Sequence, residues 1–377
     1  MYLSGADFKM RYSNIGDKIL LAGPCSAETR EQVLETAKAI AARFPEAIFR
    51  AGVWKPRTRP GSFEGIGEPA LEWLKEVREL TGLKVMTEAA NAYQAECCLK
   101  AGLDAVWIGA RTTVNPFLVQ EVADALKGTS ITVMVKNPIH PDVDLWRGAI
   151  ERVQRAVKGE VIAIHRGFHS FETTEFRNHP RWQVAFELRS MLPGMKLICD
   201  ISHIAGARPL LQSVAQEALD LGYDGWMIET HINPDVALSD KLQQVTPEQL
   251  EHLLMSLQAK HTKIEEGETL NQILHFRDAI DKLDDALLQL LKERMQYSSL
   301  IGELKKEHQI SIFQSERWRE ILKSMMQKGA ELNINPGFIR NLFIQIHDES
   351  VRIQGEIVNR EEANDVKSAA KKQNTTT

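Results

Sequence analysis

A chain of 377 residues with 43% hydrophobic and 26% charged side chains has the balance of an ordinary soluble protein, and its length exceeds one typical domain, so two are expected. A net charge of −5, and the lack of any apolar run near the length of a bilayer span, exclude a general nucleic-acid binder and a membrane protein. The four cysteines, Cys25, Cys97, Cys98 and Cys199, are too few and too scattered for a disulfide framework, which fits a reducing, cytoplasmic setting.

In chain order, eight short apolar runs alternate with amphipathic stretches of helical period. They occupy residues 19–22, 47–49, 83–86, 105–108, 131–135, 161–164, 197–199 and 225–228. Parallel strands need a crossover connection, so this alternation predicts β/α units, and eight of them predict a closed (β/α)8 TIM barrel over residues 1–262. An open doubly wound sheet is the competing fold, but no Gly-rich dinucleotide fingerprint follows the first run.

Each run is followed by a side chain of functional type. In order these are Cys25; Arg50 with Lys55 and Arg57; Glu88; Arg111; Lys136; Arg166; Asp200 with His203; and Glu229 with His231. In a barrel all these strand ends converge on the catalytic face, so one pocket is expected. Six cations, Arg50, Lys55, Arg57, Arg111, Lys136 and Arg166, suit two phosphorylated substrates, one of them also a carboxylate. Cys25, His203, Glu229 and Asp240 form a mixed sulfur, nitrogen and oxygen set suited to a divalent transition metal. Taken singly, Cys25 reads as packing and Asp240 as a helix cap; it is their joint position at strand ends that favours a metal.

The segments Gly23-Pro24-Cys25-Ser26, Lys55-Pro56-Arg57-Thr58, Gly109-Ala110-Arg111, Asp200-Ile201-Ser202-His203 and Ala237-Leu238-Ser239-Asp240 resemble 3-deoxy-D-arabino-heptulosonate 7-phosphate (DAHP) synthases of the type I, beta-like group. The resemblance implies condensation of phosphoenolpyruvate with erythrose 4-phosphate, with a divalent cation such as Mn, Fe, Co or Zn on Cys25, His203, Glu229 and Asp240. It implies that Arg50, Lys55, Arg111, Lys136 and Arg166 hold phosphoenolpyruvate and that Arg57 and Thr58 take the aldose phosphate, Lys55 also serving as acid. A sister barrel that uses another aldose phosphate, such as arabinose 5-phosphate, is the alternative.

The last barrel helix is expected over residues 247–261, followed by a charged linker at 263–269 and a helical segment over 270–358. There Ile273, Phe276, Ile280, Leu283, Leu287, Leu290, Tyr297, Ile301 and Leu304 repeat at steps of three and four, a long helix that expects a packed partner. A second helix is expected over 315–328. A third opens with Asn335 as cap and Pro336 in the first turn. Residues 359–377 read as a polar, disordered tail.

Arg294 interrupts the seam, and Lys305, eleven residues on, falls about 20° round the same face. Arg277 points about 100° away and so faces a different direction, and Ser350 and Gln354 share a face of the third helix. Interhelical ion pairing is the plainer reading of such charges. Together with Arg317, however, this set resembles the active site of the all-helical chorismate mutases. That resemblance implies a homodimer through the helices, arginines on the carboxylates of chorismate, and Lys305 and Gln354 at its ether oxygen. Trp318 departs from it, standing where the family often has a Glu that contacts the substrate hydroxyl, as does Gln314, where an acidic residue is common. Two outcomes follow for this segment: a working mutase, which makes the chain bifunctional, or a dimerisation and effector-sensing module through which chorismate or prephenate controls the barrel.

Overall fold

The computed structural model describes residues 16–56, 61–170, 175–260 and 267–359. The chain divides into two units, Met1–His261 and Thr262–Thr377. In the first, β1 (Ile19–Gly23), β2 (Ile48–Arg50), β3 (Lys84–Glu88), β4 (Ala105–Ile108), β5 (Thr132–Lys136), β6 (Val161–His165), β7 (Leu197–Asp200) and β8 (Gly225–Glu229) form the expected closed parallel barrel in sequence order. Closure is made by β1 against β8, with Gly23 opposite Glu229.

The helices between and after the strands are α1 (Arg30–Ala41), α2 (Pro69–Thr81), α3 (Ala92–Lys100), α4 (Ala110–Thr113), α5 (Pro116–Ala125), α6 (Val143–Ala156), α7 (Trp182–Met191), α8 (Ile201–Ala205), α9 (Leu211–Asp220) and α10 (Pro247–Ser256). Side-chain caps start several of them: Thr29, Asn91, Asn115 and Asp142 each accept a backbone N–H of the first turn. Thr246 and Gln249 form a reciprocal capping box at α10. That helix ends at Ser256, five residues short of the expected end, because Leu257 leaves helical geometry for an extended one.

Five strands run one or two residues past the apolar stretch that announces them, and the extra residue is a charged one: Arg50, Glu88, Lys136, Asp200 and Glu229. Hydropathy stops at the first charge, whereas the backbone ladder does not. The two-residue period of a strand then decides which way these side chains face. The barrel interior is filled by Leu21, Met86, Ala105, Trp107, Met134, Ile162, Ile164, Ile198 and Met227, with Ile48 packed against them. Arg50, Glu88, Lys136, Asp200 and Glu229 each stand two positions after one of these, so they turn inward at the mouth. The outward-facing residues, such as Val133, Val135 and Trp226, join the larger core under the helices.

The second unit contains α11 (Glu268–Glu307), α12 (Ser315–Glu331) and α13 (Pro336–Val358). Asn335 caps α13 as expected, accepting the Phe338 N–H at 3.0 Å. Helix α11 reaches back to Glu268, into the stretch read as linker; residues 263–266 of that linker and 360–377 of the tail lie outside the described residues. Along α11, Phe276, Ile280, Leu283, Leu287, Leu290, Tyr297, Ile301 and Leu304 are exposed. No helix among the described residues is long and apolar enough to cross a membrane.

Candidate active sites

At the mouth of the barrel, two loops are tied together before any ligand is considered. Cys25 N–H donates to Gln244 Oε1 at 3.0 Å, Gln244 Nε2 donates to the Ser239 carbonyl at 2.8 Å, and Ser26 bonds Ser239 through their hydroxyls. Glu28 accepts the Leu238 N–H at 2.8 Å. These bonds bring the loop after β1 against the loop after β8. Gly23 ends β1 with φ +146°, where a side chain would collide with the Arg50 carbonyl.

The result is a cluster in which Cys25 Sγ, a Glu229 oxygen and an Asp240 oxygen all lie within 4.8 Å of one another. His203 Nε2 stands 3.9 Å from Glu229 Oε1. Its other nitrogen, Nδ1, is 3.0 Å from Asp200, which also accepts the His203 backbone N–H at 3.2 Å from the start of α8. A carboxylate on Nδ1 fixes the tautomer that leaves the Nε2 lone pair for a cation. Asp240 does not cap a helix; it holds a left-handed backbone (φ 46°), a strain Asp tolerates and functional positions often carry. One sulfur, one imidazole and two carboxylates fit a divalent first-row ion.

Electrostatics agree with that fit. Burial, aided by Glu229, pushes the Cys25 thiol up to about 12 against the pull of Lys55. The protonated thiol faces Asp240 Oδ2 at 3.6 Å, and Lys55 Nζ donates to its sulfur at 3.2 Å. A bound cation is therefore the charge that would release this proton. Burial also opposes ionisation of Glu229, but His203, Arg50 and Lys55 outweigh it and hold the carboxyl below its usual range. Gln243 Nε2 donates to Glu229 Oε2 at 2.7 Å, and Arg177 bridges Gln243 (2.7 Å) and Asp240 (3.1 Å).

Beside this cluster opens a cavity of about 340 Å³. Lys55, Arg111, Lys136, Arg166 and Arg177 line it, together with Glu88, His203 and Asp240. Lys136 Nζ lies 2.7 Å from Asp200, and Arg166 donates to Asn178 Oδ1 at 2.8 Å. Burial lowers Arg166 to about 10 against Asp200, with Arg177 and Arg111 adding like-charge repulsion. An anion in the cavity relieves that repulsion. Arg50 is buried, pairs with Glu229 at 3.0 Å and donates to the Cys25 carbonyl at 3.4 Å. Arg57 and Thr58 lie outside the described residues.

Sequence reading missed several contributors. Trp107 packs against two of the cations: its ring lies 4.8 Å from the Arg50 guanidinium carbon and 5.7 Å from Lys136 Nζ, and its indole N–H donates to Glu88 at 3.0 Å. Gly109 leaves room for that carboxylate, which a Cβ would strike. Arg177 and Gln243 were equally invisible, since both stand in irregular loops where no period marks them.

In the helical unit, Arg294 of α11 donates to the Ser350 hydroxyl and, at 3.4 Å, to the Ile346 carbonyl. One face further along, Lys305 Nζ donates to Gln354 Oε1 at 3.1 Å and to the Ile312 carbonyl at 2.6 Å. These four predicted residues are gathered between α11 and α13. The other two are not brought to them: Arg277 is exposed, and Arg317 is exposed and pairs with Glu320 at 3.2 Å. Trp318 stacks on His347 of α13 with centroids 4.1 Å apart.

Comparison with known proteins covers both units. The sequence model described as the DAHP synthetase I family matches residues 12–266, and that described as chorismate mutase type II matches residues 276–355. The phospho-2-dehydro-3-deoxyheptonate aldolase of Thermotoga maritima is 30% identical over 240 residues, covering 63% of this chain and 68% of that one. A 2-dehydro-3-deoxyphosphooctonate aldolase of Nitratidesulfovibrio vulgaris is 28% identical over 264 residues, 64% of this chain and 91% of its own. The crystal structure of the DAHP synthase from Thermotoga maritima matches with a TM-score of 0.57 at 28% identity, over 63% of this chain and 67% of that chain.

Proposed function

The chain belongs to the DAHP synthetase I family and carries a chorismate mutase type II domain, and from that premise we propose how its two sites work. It is a bifunctional enzyme of the shikimate pathway. The observation that carries the reading of the first site is the meeting of a cation-lined cavity with the cluster of Cys25, Glu229 and Asp240.

In this reading Arg111, Lys136 and Arg166 hold the phosphate and carboxylate of phosphoenolpyruvate, and the repulsion that Arg177 and Arg111 impose on Arg166 is what the anion relieves. Arg50 and Trp107 support that clamp from below. Cys25, His203, Glu229 and Asp240 would hold a divalent cation, which when bound supplies Lewis-acid polarisation of the aldehyde oxygen of erythrose 4-phosphate. Carbon 3 of phosphoenolpyruvate attacks the aldehyde carbon. Lys55 Nζ, at the cavity wall beside Cys25, gives a proton to the oxygen that becomes an alcohol. Water adds to carbon 2, and phosphate leaves. The four-carbon aldose is favoured by the Lys55-Pro56-Arg57-Thr58 motif, and arabinose 5-phosphate is the competitor to test beside it.

In the helical unit, Arg294 would hold a chorismate carboxylate while Lys305 and Gln354 meet the ether oxygen as charge develops there. Holding chorismate in its reactive conformer needs no nucleophile. The exposed apolar line from Phe276 to Leu304 supports a second copy of this helix as its cover, and Arg277 then serves the partner's site.

One preparation tests both readings. Purified protein is assayed for phosphate release with phosphoenolpyruvate and erythrose 4-phosphate, and for chorismate loss. Cys25→Ala should abolish the first reaction alone. Arg294→Ala should lower kcat/KM of the second by about 10²–10³-fold. An active barrel with no chorismate turnover in the wild type would leave the helices as a sensing and dimerisation module.

A further inference from the structure

Among the described residues of the helical unit, His347 is a polar group that the assignments above leave unused. His347 lies on α13 three residues before Ser350 and seven before Gln354, so the three share a helix face. Arg294 donates to Ile346 and Ser350, on either side of it, and Lys305 donates to Gln354 further along. Trp318 of α12 lies flat on the imidazole, with planes 8° apart, and Phe313 tilts against it at 5.9 Å. The Nε2 atom is buried and has no hydrogen-bond partner among the described residues. Burial, opposed by Asp348 and aided by Arg294 and Lys305, keeps the ring below its ordinary range, so it is neutral.

A buried polar atom without a partner is costly, and it is retained where a ligand supplies the partner. Arg294, Lys305 and Gln354 answer the carboxylate and ether groups of chorismate. Its ring hydroxyl is a neutral donor and acceptor, which a neutral imidazole can meet in either tautomer. We propose that His347 Nε2 contacts the ring hydroxyl of chorismate, and that Trp318 is a positioning residue that fixes the plane of the imidazole. The proposal rests on the chorismate-binding reading of the helical site. It also gives Trp318 a physical role: a carboxylate at that position could not stack on the ring.

The test compares chorismate with the analogue lacking the ring hydroxyl, by calorimetric binding and by turnover, in the full-length protein. The wild type should prefer chorismate by about 10- to 100-fold. His347→Leu should erase that preference by weakening chorismate alone, and His347→Gln, which keeps a hydrogen-bonding end, should retain part of it. Trp318→Ala should reduce the preference with a smaller loss. A wild type that binds both ligands equally, or a folded His347→Leu or His347→Gln protein that discriminates as the wild type does, overturns the proposal. If the wild type binds chorismate without converting it, the mutase reading fails, while the binding ratio still decides the role of His347.

Discussion

Asp200→Asn is the substitution that most directly probes how the barrel mouth is held together. Asp200 is wholly buried, and it bonds Lys136 Nζ at 2.7 Å as well as the ring and backbone of His203. Burial opposes its ionisation, yet His203 and Lys136 outweigh burial and hold the carboxyl well below its usual range. The amide keeps the shape but loses the charge, leaving buried Lys136 without its counter-ion. Removing one partner of a buried ion pair costs about 3–5 kcal/mol, and for a unit of this size about 3 kcal/mol corresponds to a fall of roughly 6–12 °C in Tm. The same change loosens the orientation of His203, a kind of loss that lowers metal affinity about 10- to 100-fold. Scanning calorimetry measures the first effect, and titration against a chromophoric chelator the second. If the variant unfolds within about 2 °C of the wild type and binds metal within about twofold of it, Asp200 does not organise the site.

Removing metal with a strong chelator should stop condensation and leave chorismate turnover intact, measured on one sample, because the proposed ligands all belong to the first unit. Gly23→Ala should destabilise the barrel by roughly 2–3 kcal/mol or more in urea unfolding, because its Cβ meets backbone. Gly109→Ala meets only the end of the Glu88 side chain, so it should spare stability and lower synthase activity by displacing the Glu88 bond to Trp107. Burial foremost, with Arg166, lowers His165 from 6.5 to about 3, against a hydrogen bond to the Pro180 carbonyl. The unfolded chain then takes up the proton first, so the stabilisation is complete above about pH 6.5 and is lost as pH falls toward 3, at about 1.4 kcal/mol per pH unit. Urea midpoints of the first unit between pH 7 and pH 5 should show that slope, reduced in His165→Gln.

The barrel was legible because each strand is buried on both faces and so reads as a continuous apolar run between amphipathic helices. The gathering of its candidate site was legible because strand ends of a closed parallel barrel must meet, which brings Cys25 near His203, Glu229 and Asp240 from the far end of the barrel sequence. What could not be read was the role each cation takes. Arg50 and Lys136 look alike in sequence, yet Arg50 pairs with Glu229, whereas Lys136, on the cavity wall, pairs with Asp200. Arg177 and Gln243 were missed because their importance comes from long-range bonds, to each other and to Asp240 and Glu229, with no local pattern. In the helices the apolar repeat announced α11, but the Trp318–His347 stack joins two helices whose spacing the sequence does not encode.

Trp107 also makes the barrel mouth an optical instrument. The excited state of indole shifts electron density across its two rings, so its emission wavelength depends on the local electric field. Here the field comes from the charges of Arg50 and Lys136, held at fixed distance from the ring, with Glu88 fixing its N–H end. A dianion entering between those charges and the solvent changes the field at a residue that no solvent reaches. The arrival of substrate should therefore shift the protein's own fluorescence, and Trp107→Phe, which keeps the other six tryptophans, should lose that shift.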